Sequence, residues 1–212
     1  MLPSFCNFMS NNRSGNNNKD IHSLFRKSHI LRSKDLEKHG ISRQALHRLV
    51  EKNAVERVGR GLYRIFGAPS DEKATLAEVC LAVPKGIICL LSALRFHGLT
   101  TQSPAAVWMA IPVKSHLPRL DMPVRFVRFS GAAFLSGVES HMIEGVKVRA
   151  YCAAKTVADC FKYRNKIGLD VAQEALRDYL RQKNASLDDL WHYAKICRVA
   201  NVMRPYLEAF GL

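Results

Sequence analysis

The apolar period of this chain changes from 3.6 residues to 2 at Asn53, and that switch limits the folds open to its N-terminal third. Upstream of it, Ile21, Leu24 and Phe25 share one face of a short helix that begins near Asp20. Ile30-Leu31-Arg32 leads into a second helix, with Ser33 as candidate N-cap, Leu36 as its buried residue and Glu37 in its first turns. His39-Gly40 ends that helix, glycine supplying the left-handed conformation that a helix C-terminus favours. A third helix opens at Ile41-Ser42 and runs to about Lys52. Ile41, Ala45, Leu46, Leu49 and Val50 line one side of it; Arg43, Gln44, His47, Arg48 and Glu51 line the other. Asn53, which tolerates the left-handed region, closes it. From there residues 54–58 alternate as a strand, Gly59-Arg60-Gly61 makes a tight turn, and residues 62–66 return. Gly67-Ala68-Pro69-Ser70 reads as a linker.

Helix, helix, glycine-containing turn, helix and two-stranded ribbon, in that order, is a winged helix-turn-helix. Gly40 lets the second and third helices cross steeply. The third is apolar where it packs, and its polar side carries residues that reach base edges: Arg for guanine, an amide for adenine. Arg43, Gln44, His47 and Arg48 are the candidate base readers. Ser42, at a helix N-terminus that attracts anions, joins Lys52, Arg57, Arg60 and Arg64 as candidate phosphate contacts. Arg60 sits at the ribbon tip between two glycines.

Charge points the same way. The chain of 212 residues carries a formal +14, which favours polyanions. Residues 20–69 hold eleven Lys/Arg against five Asp/Glu, so the excess is densest in the segment with the winged pattern. An Asn- and Ser-rich stretch over 1–19 reads as a disordered or irregular extension, and residues 70–212 as a second domain. There, helices are expected over 72–82, 89–97, 153–162, 170–182, 187–194 and 199–210, with strands over 107–111, 124–129 and 146–151. Central strands flanked by helices predict an α+β domain, a small sheet covered by helices.

Chemistry finds little foothold. The six cysteines form no CxxC pair and sit among apolar neighbours, as buried reduced thiols suited to a cytoplasm. No secretory leader is legible, and the longest apolar run, residues 86–94, is too short to span a membrane. No Walker loop or nucleophile elbow appears, and Ser103, Ser115 and Ser136 lack the context of one. Asp121, Glu139 and Lys147 are too loosely spaced for a nuclease metal site, His97 reads as a helix-end residue, and no cofactor or metal is expected. Lys155 and Asp159, one helical turn apart, suit an ion pair. The basic residues Lys162, Arg164, Arg119, Arg125 and Arg128 could extend a DNA face or simply be solvated.

The run from Ser33 to Leu46 (SKDLEKHGISRQAL), with Leu49-Val50 and Val55-Glu56-Arg57-Val58-Gly59-Arg60-Gly61-Leu62-Tyr63, resembles the AbiEi antitoxin family of bacterial abortive-infection systems. The stretches Leu91-Ser92-Ala93-Leu94-Arg95-Phe96-His97-Gly98-Leu99 and Lys155-Thr156-Val157-Ala158-Asp159-Cys160-Phe161-Lys162-Tyr163-Arg164 resemble its C-terminal domain, so the likeness extends over about residues 21–210. Asn53 departs from it, standing where the family tends to have Gly. The resemblance implies a type IV toxin–antitoxin regulator that is not an enzyme. Such a protein represses its own operon at inverted repeats in double-stranded DNA. It also counteracts a nucleotidyltransferase-like toxin without a stable complex, the C-terminal domain serving neutralisation and full DNA binding. A place for Lys155 and Asp159 in antitoxicity belongs to the same implication. The residues alone leave two alternatives open: a winged helix that binds another protein, or one that targets a DNA-processing enzyme.

Overall fold

A computed structural model describes residues 21, 23–25, 30–68, 71–118 and 120–211. The expected extension over 1–19, Pro69-Ser70 of the linker and Arg119 lie outside them. Residues 21 and 23–25 are helical. Strand β1 (Ile30–Arg32) then leads directly into α1 (Ser33–Lys38), and α2 (Arg43–Glu51) precedes the ribbon β2 (Val55–Gly59) and β3 (Leu62–Ile65). Ile21, Phe25, Leu36, Ile41, Leu46, Leu49 and Val55 close into one apolar cluster, so the helical period assigned the inward faces correctly.

Two details differ from the expectation. Arg32, not Ser33, is the N-cap of α1; Ser33 is its first helical residue, and its amide donates to the Gly61 carbonyl at 2.9 Å. The ribbon is also three-stranded, because β1 pairs antiparallel with β3 (Ile30 opposite Arg64, Arg32 opposite Leu62) in the order β1-β3-β2. Three consecutive residues are too few to display alternation, which is why β1 is silent in the sequence.

The rest is α+β, as expected. After α3 (Glu72–Ala82) come β4 (Ile87–Ile88), α4 (Leu90–Phe96), β5 (Val107–Pro112) and β6 (Val124–Phe129). Then follow α5 (Gly131–Leu135), β7 (Val138–Ile143), β8 (Val146–Tyr151) and α6 (Ala153–Lys162). The chain finishes with α7 (Arg164–Ile167), α8 (Leu169–Arg181), α9 (Leu187–Cys197) and α10 (Ala200–Glu208). The five strands β4–β8 form a mixed sheet in the order β6-β5-β4-β8-β7. One face, with Cys89, Trp108, Ala110, Phe129 and Tyr151, lies under the helices α4, α6, α8, α9 and α10. The opposite face, with Ile88, Met109, Ile111, Val148 and Ala150, lies under α3.

That second cluster continues into the N-terminal unit. Ile30 and Leu62 of the small sheet pack with Leu76, Val79, Cys80 and Val83 of α3 and with the large sheet. The small sheet and the large one therefore share buried surface with α3 between them. No helix among the described residues is long and apolar enough to cross a membrane.

Candidate nucleic-acid interface

Helix α2 starts where Ser42 accepts a hydrogen bond from the Ala45 amide at 3.2 Å, satisfying one of the unpaired amides of its first turn. Gly40 before it (φ 82°) and Asn53 after it (φ 52°) are both left-handed, so the turn and the helix end have the backbone their residue types suggest. Leu46 and Leu49 face inward, while Arg43, Gln44, His47 and Arg48 are all exposed. Arg43 and His47 are one turn apart, as are Gln44 and Arg48, so the four make one continuous strip.

Two of them are lightly engaged. The Arg43 Nε donates to Glu37 Oε1 at 2.8 Å, and His47 Nδ1 lies 3.2 Å from Glu51 Oε1. The side chains of Arg43 and His47 are 86% and 76% exposed, and exposed pairs of this kind contribute only about 0–1 kcal/mol. Such pairs give way readily to a phosphate or a base edge.

The three ribbon arginines part company. Arg60 is exposed at the tip, beside Gly61 in the left-handed region (φ 71°). Arg57 is exposed and its Nε donates to the Gly59 carbonyl at 3.1 Å, where the ladder between β2 and β3 slips register. Arg64, expected on phosphate, points inward. Its side chain is 18% exposed, with Nε 2.6 Å from Glu56 Oε1 and Nη1 3.3 Å from Glu78 Oε1 on α3. Position along the strand decides this: Arg64 lies across from Ile30 on a sheet whose inner face meets α3. Burial pushes the Glu78 carboxyl above its usual range, with Arg64 pulling the other way and Glu144 and Glu56 adding to the rise. Lys52, the C-cap of α2, is exposed.

The second group of candidates is scattered. Lys155 and Asp159 are wholly buried and form the i, i+4 ion pair that their spacing suits, Nζ to Oδ2 2.5 Å, so neither side chain reaches the surface. The Lys155 Nζ also lies over the rings of Tyr151 (4.2 Å) and Phe129 (5.1 Å), and the Cys197 thiol donates to Asp159 Oδ1 at 3.2 Å. Arg125 stacks over the Trp108 ring at 5.2 Å. Arg128 donates to the carbonyls of Val113 and Ser115, tying down the loop after β5. Arg164, half-buried, donates to the Phe161 carbonyl at 2.9 Å, and Lys162 is exposed. The Tyr163 hydroxyl reaches the Arg128 carbonyl at 3.3 Å, which draws the Lys162–Arg164 segment towards β6. One tie escaped sequence reasoning: Arg32 donates to the Leu81 carbonyl in the last turn of α3 at 2.6 Å, and a lone arginine at a strand end gives no warning of it.

Other side chains show no reactive arrangement. Asp121 lines a cleft of about 320 Å³ with Arg60 at the wing tip, whereas Lys147 lines a separate one of about 460 Å³ with Arg149. Glu139 pairs with His141. His97 is the C-cap of α4 and bonds the Tyr151 carbonyl at 2.6 Å. Among the described residues no three His, Cys, Asp or Glu side chains gather as metal ligands. Cys80, Cys89, Cys160 and Cys197 are buried free thiols. Burial pushes the Cys80 thiol up to about 11 and Cys197 up to about 12.

With a helix-turn-helix presenting a basic strip beside an arginine-tipped ribbon, comparison with known families becomes specific. Residues 19–65 match the family described as "Transcriptional regulator, AbiEi antitoxin". The likeness noted in the sequence is thus shown over this AbiEi-type segment, while the stretches around Leu91 and Lys155 lie outside the match. No curated protein matches the chain. Among solved structures, it is similar to the crystal structure of RV2827C protein from Mycobacterium tuberculosis, at 13% identity and a TM-score of 0.55. The alignment covers 89% of this chain and 79% of that one, so the likeness in fold runs well past the AbiEi-type segment.

Proposed function

We propose that this chain is a DNA-binding autorepressor and antitoxin of a type IV toxin–antitoxin system. On this reading residues 20–69 dock on an operator with inverted repeats, and residues 70–212 counteract a nucleotidyltransferase-like toxin in the cytoplasm without a lasting complex. The family match supports a DNA-binding antitoxin role. The observation that carries the DNA reading is the strip Arg43, Gln44, His47 and Arg48, exposed on a helix whose other side is buried.

In this account α2 enters a major groove N-terminus first, with Arg43 and Gln44 on base edges and His47 and Arg48 along the groove wall. Ser42, Lys52, Arg57 and Arg60 hold phosphates and set the register. Arg64 no longer belongs with them. Three phosphates neutralised by Lys52, Arg57 and Arg60 give a slope of about −3 for log affinity against log salt.

Fluorescence anisotropy with a duplex from immediately upstream of the gene, against a random duplex of equal length, tests the reading. The upstream duplex binds more tightly and both respond steeply to salt. Equal, salt-insensitive binding to both, or no binding to either, overturns it. The protein-binding alternative has no observation here that favours it over DNA.

A further inference from the structure

The small sheet is attached to α3 at two polar points as well as through its apolar face. Arg32, at the end of β1, donates to the Leu81 carbonyl, one of the last carbonyls of α3 that the helix itself leaves unpaired. Arg64, on β3, bridges Glu56 on β2 and Glu78 on α3. Glu78 and Leu81 are one turn apart, so both arginines grip the same stretch of helix. The ribbon's end is seated too: a Cβ placed on Gly59 would lie 3.6 Å from the Met122 methyl, and Leu120 and Asp121 border the same cleft as Arg60.

We propose that Arg64, with Arg32 beside it, is a positioning residue. It fixes the wing to the α+β body, so that Arg57 and Arg60 meet DNA at a set angle to α2. The inference rests on the DNA reading above but makes a claim about the free protein as well. An arginine between two carboxylates at this partly buried seam is poorly suited to adding net stability, since burial already works against the charge on Glu78. Its use is geometric. A guanidinium donating in two directions at once holds β2, β3 and α3 in one register, whereas a lysine ammonium offers no rigid fork. A change at Glu78 on α3 is then felt at the wing through Arg64.

Three variants of the full chain test this: Arg64→Gln, Arg64→Lys and Glu78→Gln. Amide hydrogen exchange without DNA should quicken over residues 55–65 in Arg64→Gln and stay at the wild-type rate over α2. Affinity for the upstream duplex should fall on the order of tenfold, a usual size for coupling between two sites. The salt slope should keep its wild-type value. Arg64→Lys should recover part of both effects. Glu78→Gln should also weaken DNA binding, although it removes a negative charge and simple electrostatics would strengthen it. A salt slope shallower by about 0.9 in Arg64→Gln, with exchange unchanged, would make Arg64 a phosphate contact and overturn the proposal. Wild-type exchange and affinity in both glutamine variants would overturn it as well. If the wild-type chain binds no DNA, the function fails, while the exchange data still decide whether the wing is held.

Discussion

Helices α2 and α6 are near twins in length and each pairs a cation with an acid, yet one faces solvent and the other is sealed. In α2 only Leu46 and Leu49 are buried, and Arg43 and His47 meet their acids at the surface. In α6 every residue from Ala154 to Phe161 is buried, because α4, α8, α9 and α10 surround it over the large sheet. The Lys155–Asp159 pair is therefore held away from water, with aromatic rings under the ammonium and a thiol on the carboxylate. A cation paired with an acid is thus left open to solvent in one place and packed into the core in the other. What separates them is how many sides of the helix the fold covers.

The largest effect that could break this contrast is on stability. Lys155→Ala strands Asp159 in the core and should cost about 3–5 kcal/mol in urea unfolding, whereas Lys155→Met with Asp159→Leu should recover most of it. Arg43→Ala, at the surface, should stay within about 0.5 kcal/mol of wild type in the same assay. A Lys155→Ala protein as stable as wild type would mean that α6 is open after all.

A second effect follows from the buried thiols. Their folded pKa values are raised, so the thiol form is favoured in the native state, and the associated stability is whole below the unfolded thiol range. It is lost as pH climbs towards about 11 for Cys80 and about 12 for Cys197. Each thiol should therefore lower the unfolding free energy by about 1 kcal/mol by pH 10. Alkylation of Cys197 at pH 8 should need unfolding; labelling at Cys197 itself in the native chain, located by peptide mapping, would contradict its burial.

On the open helix the effects are on binding. Arg43→Ala should cost about 1–3 kcal/mol on the upstream duplex and little on random DNA, relaxing specificity. Equal loss on both would remove Arg43 from base reading. Smallest is Arg60→Ala, which should weaken every sequence alike and make the salt slope shallower by about 0.9. A sequence-selective loss there would turn the wing tip into a reader.

Much of this was legible in the residues, and the gaps have physical causes. The amphipathic period found α2 and its exposed strip, and the switch at Asn53 found the ribbon. Helices over 72–82 and 153–162 and strands over 124–129 and 146–151 fall where apolar patterning put them. Strand β4, two residues long at the centre of the sheet, has no period to read. Strand β7 was missed because Glu139 and the exposed Met142 mask its alternation on a sheet edge. Arg64 could not be told from Arg57 and Arg60 by sequence. Its inward turn depends on Glu78, fourteen residues on, arriving across the small sheet. The burial of Lys155 was hidden likewise, since an i, i+4 pair reads the same on a surface as in a core.

One measurement tests most directly whether α2 and the wing tip form the DNA face. A photocrosslinking residue is placed at Gln44, at Arg60 or at the exposed Lys183 of the α+β body, and each protein is irradiated on the upstream duplex. Crosslinks from positions 44 and 60, to bases and backbone respectively, with none from 183, are the predicted result. Crosslinks from 183 alone would contradict it.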